Sequence, residues 1–176
     1  MPQISTTVLC TINLPRPLLF EWFIPIQLAD ILLGYGPLPA VVKTSRQSGA
    51  WDKPGSNRTV HLADGNTAFE EVTVCERPSY FAYRVSKFTN VIRFFARDAT
   101  GQWWFEEKGR KTYVKWKYTF YAYNAFTALL LFPIVQLFWN GYMRVGMKTT
   151  KQLAEQQVVQ SKDGKDALKI PDEENR

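Results

Sequence analysis

Two hydrophobic periods alternate along the chain and divide it into strand-forming and helical stretches. TTVLCTIN (6–13) alternates apolar and polar residues and predicts a first strand. The prolines at 15 and 17 end this strand and open an apolar helical stretch, PLLFEWFIPIQLADILL (17–33). Pro25 is expected to divide that stretch into two short helices, because proline cannot continue a helical hydrogen-bond ladder.

Between residues 41 and 123, short alternating stretches are separated by turn residues, which is typical of an antiparallel sheet. The segment TNVIRFFARDAT (89–100) is too long for a hairpin turn and predicts a short helix. The strands after the first are predicted at 41–49, 56–63, 66–76, 79–88, 101–108 and 111–123, which gives a sheet of seven.

A last, long helix is predicted from the N-cap residue Asn124 to Val158. A polar stripe that includes Arg144 marks its exposed face. Residues 1–158 therefore form one predicted domain, and 159–176 form a charged tail that is expected to be disordered. The apolar positions of the helix after Pro133 are Ile134, Leu137, Phe138, Tyr142, Val145, Thr149 and Leu153.

The segment AFTALLLFPIVQLFW (125–139) is apolar enough to raise the question of a membrane contact. It has fifteen residues and contains Pro133 and Gln136. A helix needs about 20 apolar residues to span a bilayer. The polar stripe that follows favours a helix buried in the protein, and a weak contact with a membrane surface stays open as the alternative.

The formal net charge of +6 does not by itself indicate a nucleic-acid partner. Basic residues are spread along the chain and interrupted by acidic ones, except in KGRKTYVKWK (108–117). Strand alternation there places Lys115 and Lys117 on one face, which predicts a solvated strand surface and no nucleic-acid site.

The two cysteines, Cys10 and Cys75, have neither metal-site nor redox-motif spacing. They are interpreted as buried free thiols, which suits a reducing compartment. The N-terminal stretch MPQISTTVLC lacks the charged and apolar regions of a signal peptide. A cytoplasmic protein without a metal or cofactor is therefore expected.

The order of elements, together with two local stretches, resembles a known superfamily. The patterns PG..RTV.L.DG....EEVT, within 38–85, and G.WWFEE.G..TYVKWKYTF, within 101–120, carry the match. They resemble the polyketide cyclase/dehydrase-like members of the SRPBCC superfamily, relatives of START and birch-pollen-allergen domains, over residues 5–157. The resemblance implies an α+β helix-grip fold, in which a curved seven-stranded antiparallel sheet wraps around the C-terminal helix and leaves a cavity. Such folds support lipid binding, hormone binding and cyclisation, so the fold does not decide the function.

The hairpin NRTVHLADGNTAFEEV (57–72) holds the only histidine of the chain, His61. A two-residue Asp-Gly turn would pair Thr59 with Glu70. A three-residue loop with Gly65 in the left-handed conformation would instead pair Arg58 with Glu70. The three-residue loop is predicted, because it alone gathers these apolar residues on one face: Val60, Leu62, Ala68, Val72 and Val74.

In that register Arg58 and Glu70 share the concave face, whereas His61 and Glu71 point to solvent. An inward ion pair is costly unless it is well hydrogen-bonded. Two interpretations stay open: the pair satisfies itself, or it contacts the polar end of a ligand.

The same alternation predicts which side chains line the cavity. Tyr83 and Tyr118 would orient a carbonyl or phenol there, or bond to the backbone as core residues. Alternation does not decide between Trp103 and Trp104, and Trp104 is the candidate. The predicted lining residues are Arg58, Val60, Glu70, Val72, Tyr83, Val85, Trp104, Trp116, Tyr118, Phe120, Phe138 and Tyr142. In the segment 89–100, a lid over the mouth or a cover for the sheet edge is expected from Val91, Ile92, Phe94 and Phe95.

These features predict a protein that binds a small hydrophobic molecule, such as a lipid, polyketide or aromatic metabolite. The first alternative is a cyclase- or dehydratase-like enzyme, with Glu70, Arg58 and Tyr83 as weak candidates for acid–base chemistry. A membrane-associated or protein-interaction role is the second alternative, and a homodimer stays open. The sequence contains no nucleophile–base, metal or phosphate-loop motif.

Overall fold

The computed structural model describes the backbone of residues 1–166 and the side chains of residues 1–156. The last helix continues past its predicted end at Val158 and reaches Asp166. Of the predicted tail, 159–176, the part from 167 onward lies outside the described residues.

All seven predicted strands are present in one antiparallel sheet of order β1-β7-β6-β5-β4-β3-β2. Neighbours in the sheet are consecutive in the chain from β2 to β7, and β1 completes the sheet by pairing with β7. The strands are β1 (Gln3–Ile12), β2 (Val41–Ser45), β3 (Asn57–Leu62), β4 (Thr67–Glu76), β5 (Tyr80–Ser86), β6 (Ala96–Lys108) and β7 (Lys111–Ala122).

The largest differences from the predicted strand boundaries are at the start of β6 and at the end of β2. Strand β6 starts at Ala96, ahead of the predicted 101, because a bulge between Ala96 and Asp98 lets the segment keep pairing with β7. Strand β2 ends at Ser45, short of the predicted 49, because Arg46 adopts a φ of 55°, which no strand residue has.

The two predicted short helices are α1 (Arg16–Phe23) and α2 (Leu28–Ile31), on either side of Pro25. They pack over one end of the sheet. There Phe23 meets Trp103 at 4.5 Å and Phe105 at 5.3 Å between ring centroids, and this aromatic cluster fills the interior. The other end of the concave face is left without such a filling.

The C-terminal helix consists of α3 (Ala125–Pro133), a π-helical turn (Ile134–Trp139) and α4 (Asn140–Asp166). Asn124 caps it as predicted. Its side-chain oxygen accepts a hydrogen bond from the Thr127 backbone N–H at 2.9 Å, and the Thr127 hydroxyl oxygen accepts one from the Asn124 backbone N–H. Helix α4 packs on β1 and α2.

The predicted buried face of this helix is partly wrong. Leu137 is exposed, and Leu131 and Val135 are fully buried in its place. The π-helical turn adds backbone between α3 and α4, so one regular 3.6-residue stripe does not describe both halves. Within residues 140–156 of α4, where side chains are described, the buried residues are Tyr142, Met143, Gly146, Met147, Thr150 and Ala154.

The expectation that 125–139 is buried is also wrong for its outer side. Ala125–Gln156 is the one helix of the described chain that is long and apolar enough to cross a membrane, and its most apolar window of 18 residues has a mean hydropathy of 1.3. Only 22 % of its most apolar window is buried in the protein. A core helix of this length and hydropathy would be mostly buried, whereas this helix leaves most of its apolar segment exposed.

Candidate functional site

The hairpin of β3 and β4 brings the two buried charges together. The backbone N–H of Leu62 donates to Asn66 at 2.8 Å across a three-residue loop, and Gly65 has a φ of 82°. Arg58 therefore lies opposite Glu70, as predicted. The Arg58 Nε donates to Glu70 Oε2 at 2.9 Å, and both residues are buried. A one-residue slip would have turned this pair outward.

A third residue, Trp51, completes the surroundings of the ion pair. It lies in the turn between β2 and β3, it is buried, and the Arg58 guanidinium stacks 3.7 Å from the centroid of its ring. A cation over an indole face is stabilised by the ring electrons. The sequence WDKPG predicts a turn only, and the burial of Trp51 was not predicted. A tryptophan between turn residues was the available signal.

Beside this pair a cavity of about 500 Å³ opens between the sheet, the C-terminal helix and two loops. Its volume lies within the range of about 300–1,000 Å³ that is usual for ligand sites. Exposed lining residues such as Pro37, Asp64, Val91 and Phe138 mark its mouth. The lining residues are Leu28, Leu32, Pro37, Leu38, Pro39, Val41, Val60, Leu62, Asp64, Asn66, Ala68, Glu70, Tyr83, Val85, Phe88, Asn90, Val91, Ile92, Trp116, Tyr118, Phe120, Ile134, Phe138, Trp139 and Tyr142.

The buried part of the cavity holds one carboxyl group and three phenols. Burial raises the pKa of Glu70, and the Arg58 charge opposes this rise without overcoming it. Burial, followed by the nearby Glu70 charge, raises the pKa of Tyr83 and of Tyr142. Burial also raises the pKa of Tyr118, with Tyr83 and Glu70 adding to the effect. The three phenols therefore stay protonated at neutral pH and remain hydrogen-bond donors.

An indole N–H adds a further donor. Trp116 is 2 % exposed and lines the cavity, and its Nε1 has no hydrogen-bond partner among the described residues. The same holds for Nε1 of Trp139, which belongs to the π-helical turn. A buried donor without a partner costs free energy unless a water or a ligand satisfies it.

The space for one of the phenols depends on a glycine. Tyr83 on β5 lies opposite Gly101 on β6. A Cβ atom at position 101 would stand 2.3 Å from Cζ of the Tyr83 ring, far inside van der Waals contact. Glycine is therefore required there for the ring to lie in its observed place.

Nine of the predicted lining residues line the cavity: Val60, Glu70, Tyr83, Val85, Trp116, Tyr118, Phe120, Phe138 and Tyr142. Three do not. Arg58 reaches a separate small cavity of about 30 Å³, because its side chain turns toward Trp51. Val72 is buried in the core, where it adds to the packing instead of lining the cavity.

Trp104 is the third correction. The inward residue is Trp103, which is buried and stacks on Trp116 with 4.4 Å between ring centroids. Trp104 lies on the other face of β6, where Lys115 Nζ stands 4.6 Å from the centroid of its ring. The register pairs Trp103 with Trp116, and alternation then forces Trp104 outward.

Other candidates of the sequence analysis lie away from the buried groups. His61 does not line the cavity, and its Nε2 is 2.7 Å from Ser45 Oγ. In the segment 89–100 a 3-10 helix forms, and Val91 and Ile92 contribute to the mouth of the cavity, whereas Phe94 is exposed and Phe95 packs on the core.

Cys10 and Cys75 are free thiols, but they are half-buried and not buried as expected. Burial raises the pKa of both thiols. Within the described residues no group of histidine, cysteine and acidic side chains is placed to hold a metal ion.

Several lining residues were missed because they come from loops. Asp64, Asn66 and Asn90 place polar groups at the mouth, and Trp139 enters from the π-helical turn. Strand alternation says nothing about such positions. The turn residues that end the strands were the only available signal.

Solved structures with the same arrangement have low sequence identity to this chain. A norcoclaurine synthase point mutant from Thalictrum flavum, in complex with a transition-state analogue, gives a TM-score of 0.68 at 10% identity, over 89% of this chain and 96% of that one. The ZhuI aromatase/cyclase from Streptomyces sp. R1128 gives 0.65 at 14% identity, also over 89% and 96%. A major latex-like protein from Panax ginseng gives 0.59 at 13% identity, over 86% and 98%. At these identities the likeness concerns the helix-grip fold.

A comparison with curated protein sequences finds no match. A family model, described as polyketide cyclase / dehydrase and lipid transport, matches residues 32–155. This range includes β2 to β7, the C-terminal helix from its cap to residue 155, and most of the cavity wall. The chain belongs to the polyketide cyclase/dehydrase and lipid transport family.

Proposed function

We propose that the protein binds a small, mainly apolar molecule in the cavity, with a polar group of that molecule at the buried end. The observation that carries this proposal is the composition of the wall. Apolar side chains form most of it, and Glu70, Tyr83 and Trp116 gather where it is most buried. A wall of this kind holds a ligand by apolar contact and orients it by a few polar groups.

The polar groups select the chemistry of the ligand. The phenols and the Trp116 N–H are hydrogen-bond donors toward a ligand, and Glu70 is an acceptor. A neutral hydroxyl or carbonyl group fits this set. A carboxylate or phosphate is disfavoured, because Arg58 is already paired with Glu70 and no cationic side chain is among the described residues that line the cavity. The ligand class is therefore a neutral lipid, polyketide or aromatic compound with an oxygen-bearing end.

The experiment is a titration with N-phenyl-1-naphthylamine, a neutral apolar dye whose fluorescence rises in apolar surroundings. The wild-type protein is expected to bind it, and Val60→Trp, which fills the cavity from β3, is expected to bind at least about tenfold less tightly. Val42→Trp is the matched control, because Val42 is exposed on the neighbouring strand. Equal binding by both variants, with their folds verified by circular dichroism, would contradict the proposal.

A second candidate function is acid–base catalysis of a cyclisation or dehydration. The observation that favours it is a cavity carboxyl group with a raised pKa, close to Tyr83 and Tyr118. A carboxyl group of this kind holds a proton closer to neutral pH and delivers it to a substrate oxygen. With a linear polyketone substrate, Glu70→Gln is expected to reduce product formation by about a hundredfold or more. Dye binding by the same variant would show that the cavity is intact.

A further inference from the structure

Helix α3 and the π-helical turn expose an apolar outer face. Phe126, Leu129, Leu130, Pro133 and Leu137 recur at helical spacing and are all exposed. We call these five residues the outer face. Leu129 is 70 % exposed and Leu137 is 65 % exposed, so they contact little else among the described residues.

The outer face is unusual because the opposite side of the same helix is also apolar. Leu131 and Val135 point inward and are fully buried. A helix that is apolar all round is normally enclosed by protein or by lipid. Soluble monomers rarely expose a contiguous apolar patch larger than a few hundred Å². The outer face therefore needs a partner.

The outer face lies beside the mouth of the cavity. Ile134 and Phe138, from the same stretch of helix, line the cavity. The start of α3 is tied to the 3-10 helix on the other side of the mouth, since the Tyr123 N–H donates to the Phe95 carbonyl at 3.2 Å. Phe94 of that 3-10 helix is exposed as well. An apolar surface thus borders the opening on two sides.

Among the described side chains, the exposed charges on this helix and on the neighbouring 3-10 helix are positive, whereas Asp64, on the loop between β3 and β4, is an exposed acid at the cavity mouth. Residues 125–154 contain no aspartate or glutamate. The exposed side of the helix continues from the outer face into α4 with Arg144 and Lys148, and Arg93 is exposed on the 3-10 helix. Asp98, the nearest acid along that segment, is buried and paired with Arg84 and Arg97.

We propose that the outer face docks on an anionic lipid bilayer, with α3 lying in the membrane interface and the cavity mouth turned toward the acyl chains. Leucine and phenylalanine enter the interface, and the flanking cations meet anionic headgroups. A second copy of the chain is a poorer partner. In a symmetric pair the cations beside the patch would face their own copies and repel. Docking on the bilayer does not require that the cavity binds a ligand. Exchange of a ligand between the cavity and the bilayer does, and this part rests on the proposed function.

The test is co-sedimentation with vesicles of phosphatidylcholine that contain about 30 % phosphatidylglycerol, at low salt. Wild-type protein is expected to sediment with them. The double variant Leu129→Ser/Leu137→Ser is expected to bind at least about tenfold less tightly, since two exposed leucines no longer enter the interface. Leu9→Ser/Leu18→Ser is the matched control, because these leucines are similarly exposed on β1 and α1. It is expected to sediment like the wild type.

Three results would overturn the inference. The first is wild-type protein that stays in the supernatant, and the second is equal sedimentation of the outer-face variant and the control. The third is a dimer in size-exclusion chromatography that only the outer-face variant dissociates. Dye binding without vesicles is measured in parallel. A protein that binds the dye but not the vesicles retains the proposed function and loses the membrane partner. A protein that binds vesicles but not the dye retains the membrane partner and loses the proposed function.

Discussion

Two regions of the molecule reverse the usual distribution of polarity. The Arg58–Glu70 pair places two charges in the interior, and the outer face of α3 places leucines and a phenylalanine in water. The charges are satisfied within the chain: they bond to each other at 2.9 Å, and Trp51 stacks on the guanidinium. The outer face has no such compensation, because its side chains contact little else among the described residues.

The difference separates two kinds of exception. A buried pair that is matched inside the protein is part of the fold, and its loss is measured as stability. An exposed apolar face that the fold does not cover contributes nothing to folding, and its loss is measured against an outside partner. Mutation of the two regions should therefore affect different measurements.

The largest effect is expected from breaking the ion pair. Glu70→Leu leaves the buried Arg58 charge without a partner and is expected to lower the free energy of unfolding by about 3–5 kcal/mol. Arg58→Met is expected to cost a similar amount. The double variant should cost clearly less than the sum, because no charge then remains in the interior. Urea unfolding of the four proteins measures this coupling. Additive costs would mean that the two side chains act independently.

The second comparison uses one helix and one substitution. Leu131→Ala removes a fully buried side chain of α3 and is expected to cost about 2–5 kcal/mol of unfolding free energy. Leu129→Ala, on the outer face of the same helix, is expected to change it by less than about 0.5 kcal/mol. Thermal or urea unfolding checks both. A large cost at Leu129 would show that the outer face is already covered within the protein.

The smallest expected effect is a pH dependence of stability. Because burial raises the pKa of Glu70, the folded protein holds this proton more tightly than the unfolded chain does. The resulting stability is present below the ordinary glutamate pKa of about 4.3 and is lost as the pH rises through the raised folded value. The unfolding free energy of the wild type should therefore fall more steeply with pH than that of Glu70→Gln. The opposite difference would mean that Arg58 lowers the pKa of Glu70.

Much of the fold was predictable because strand alternation and turn chemistry are local. The Arg58–Glu70 register followed from one loop and one apolar face, and the structure confirms it. Asn124 was recognisable as a cap because capping depends on its own side chain and the next turn. These features need no knowledge of what lies across the molecule.

The features that were missed depend on distant contacts. The π-helical turn is not recognisable from the local sequence. Because it changes the number of residues per turn, the buried face of the helix across α3 and α4 was predicted incorrectly. Trp103 faces inward because of its register with Trp116, and alternation within β6 alone is symmetric between Trp103 and Trp104. Trp51 joins the site from a turn, where burial has no period.

Gly101 affects how the volume of the cavity is able to differ among related proteins. It does not line the cavity, yet the position of the Tyr83 ring depends on the absence of a side chain there. A larger residue at position 101 of β6 would push that ring into the cavity. The free volume of the cavity thus depends partly on a residue that does not line it. Comparison of the lining residues alone would therefore not show which relatives have a cavity of the same size.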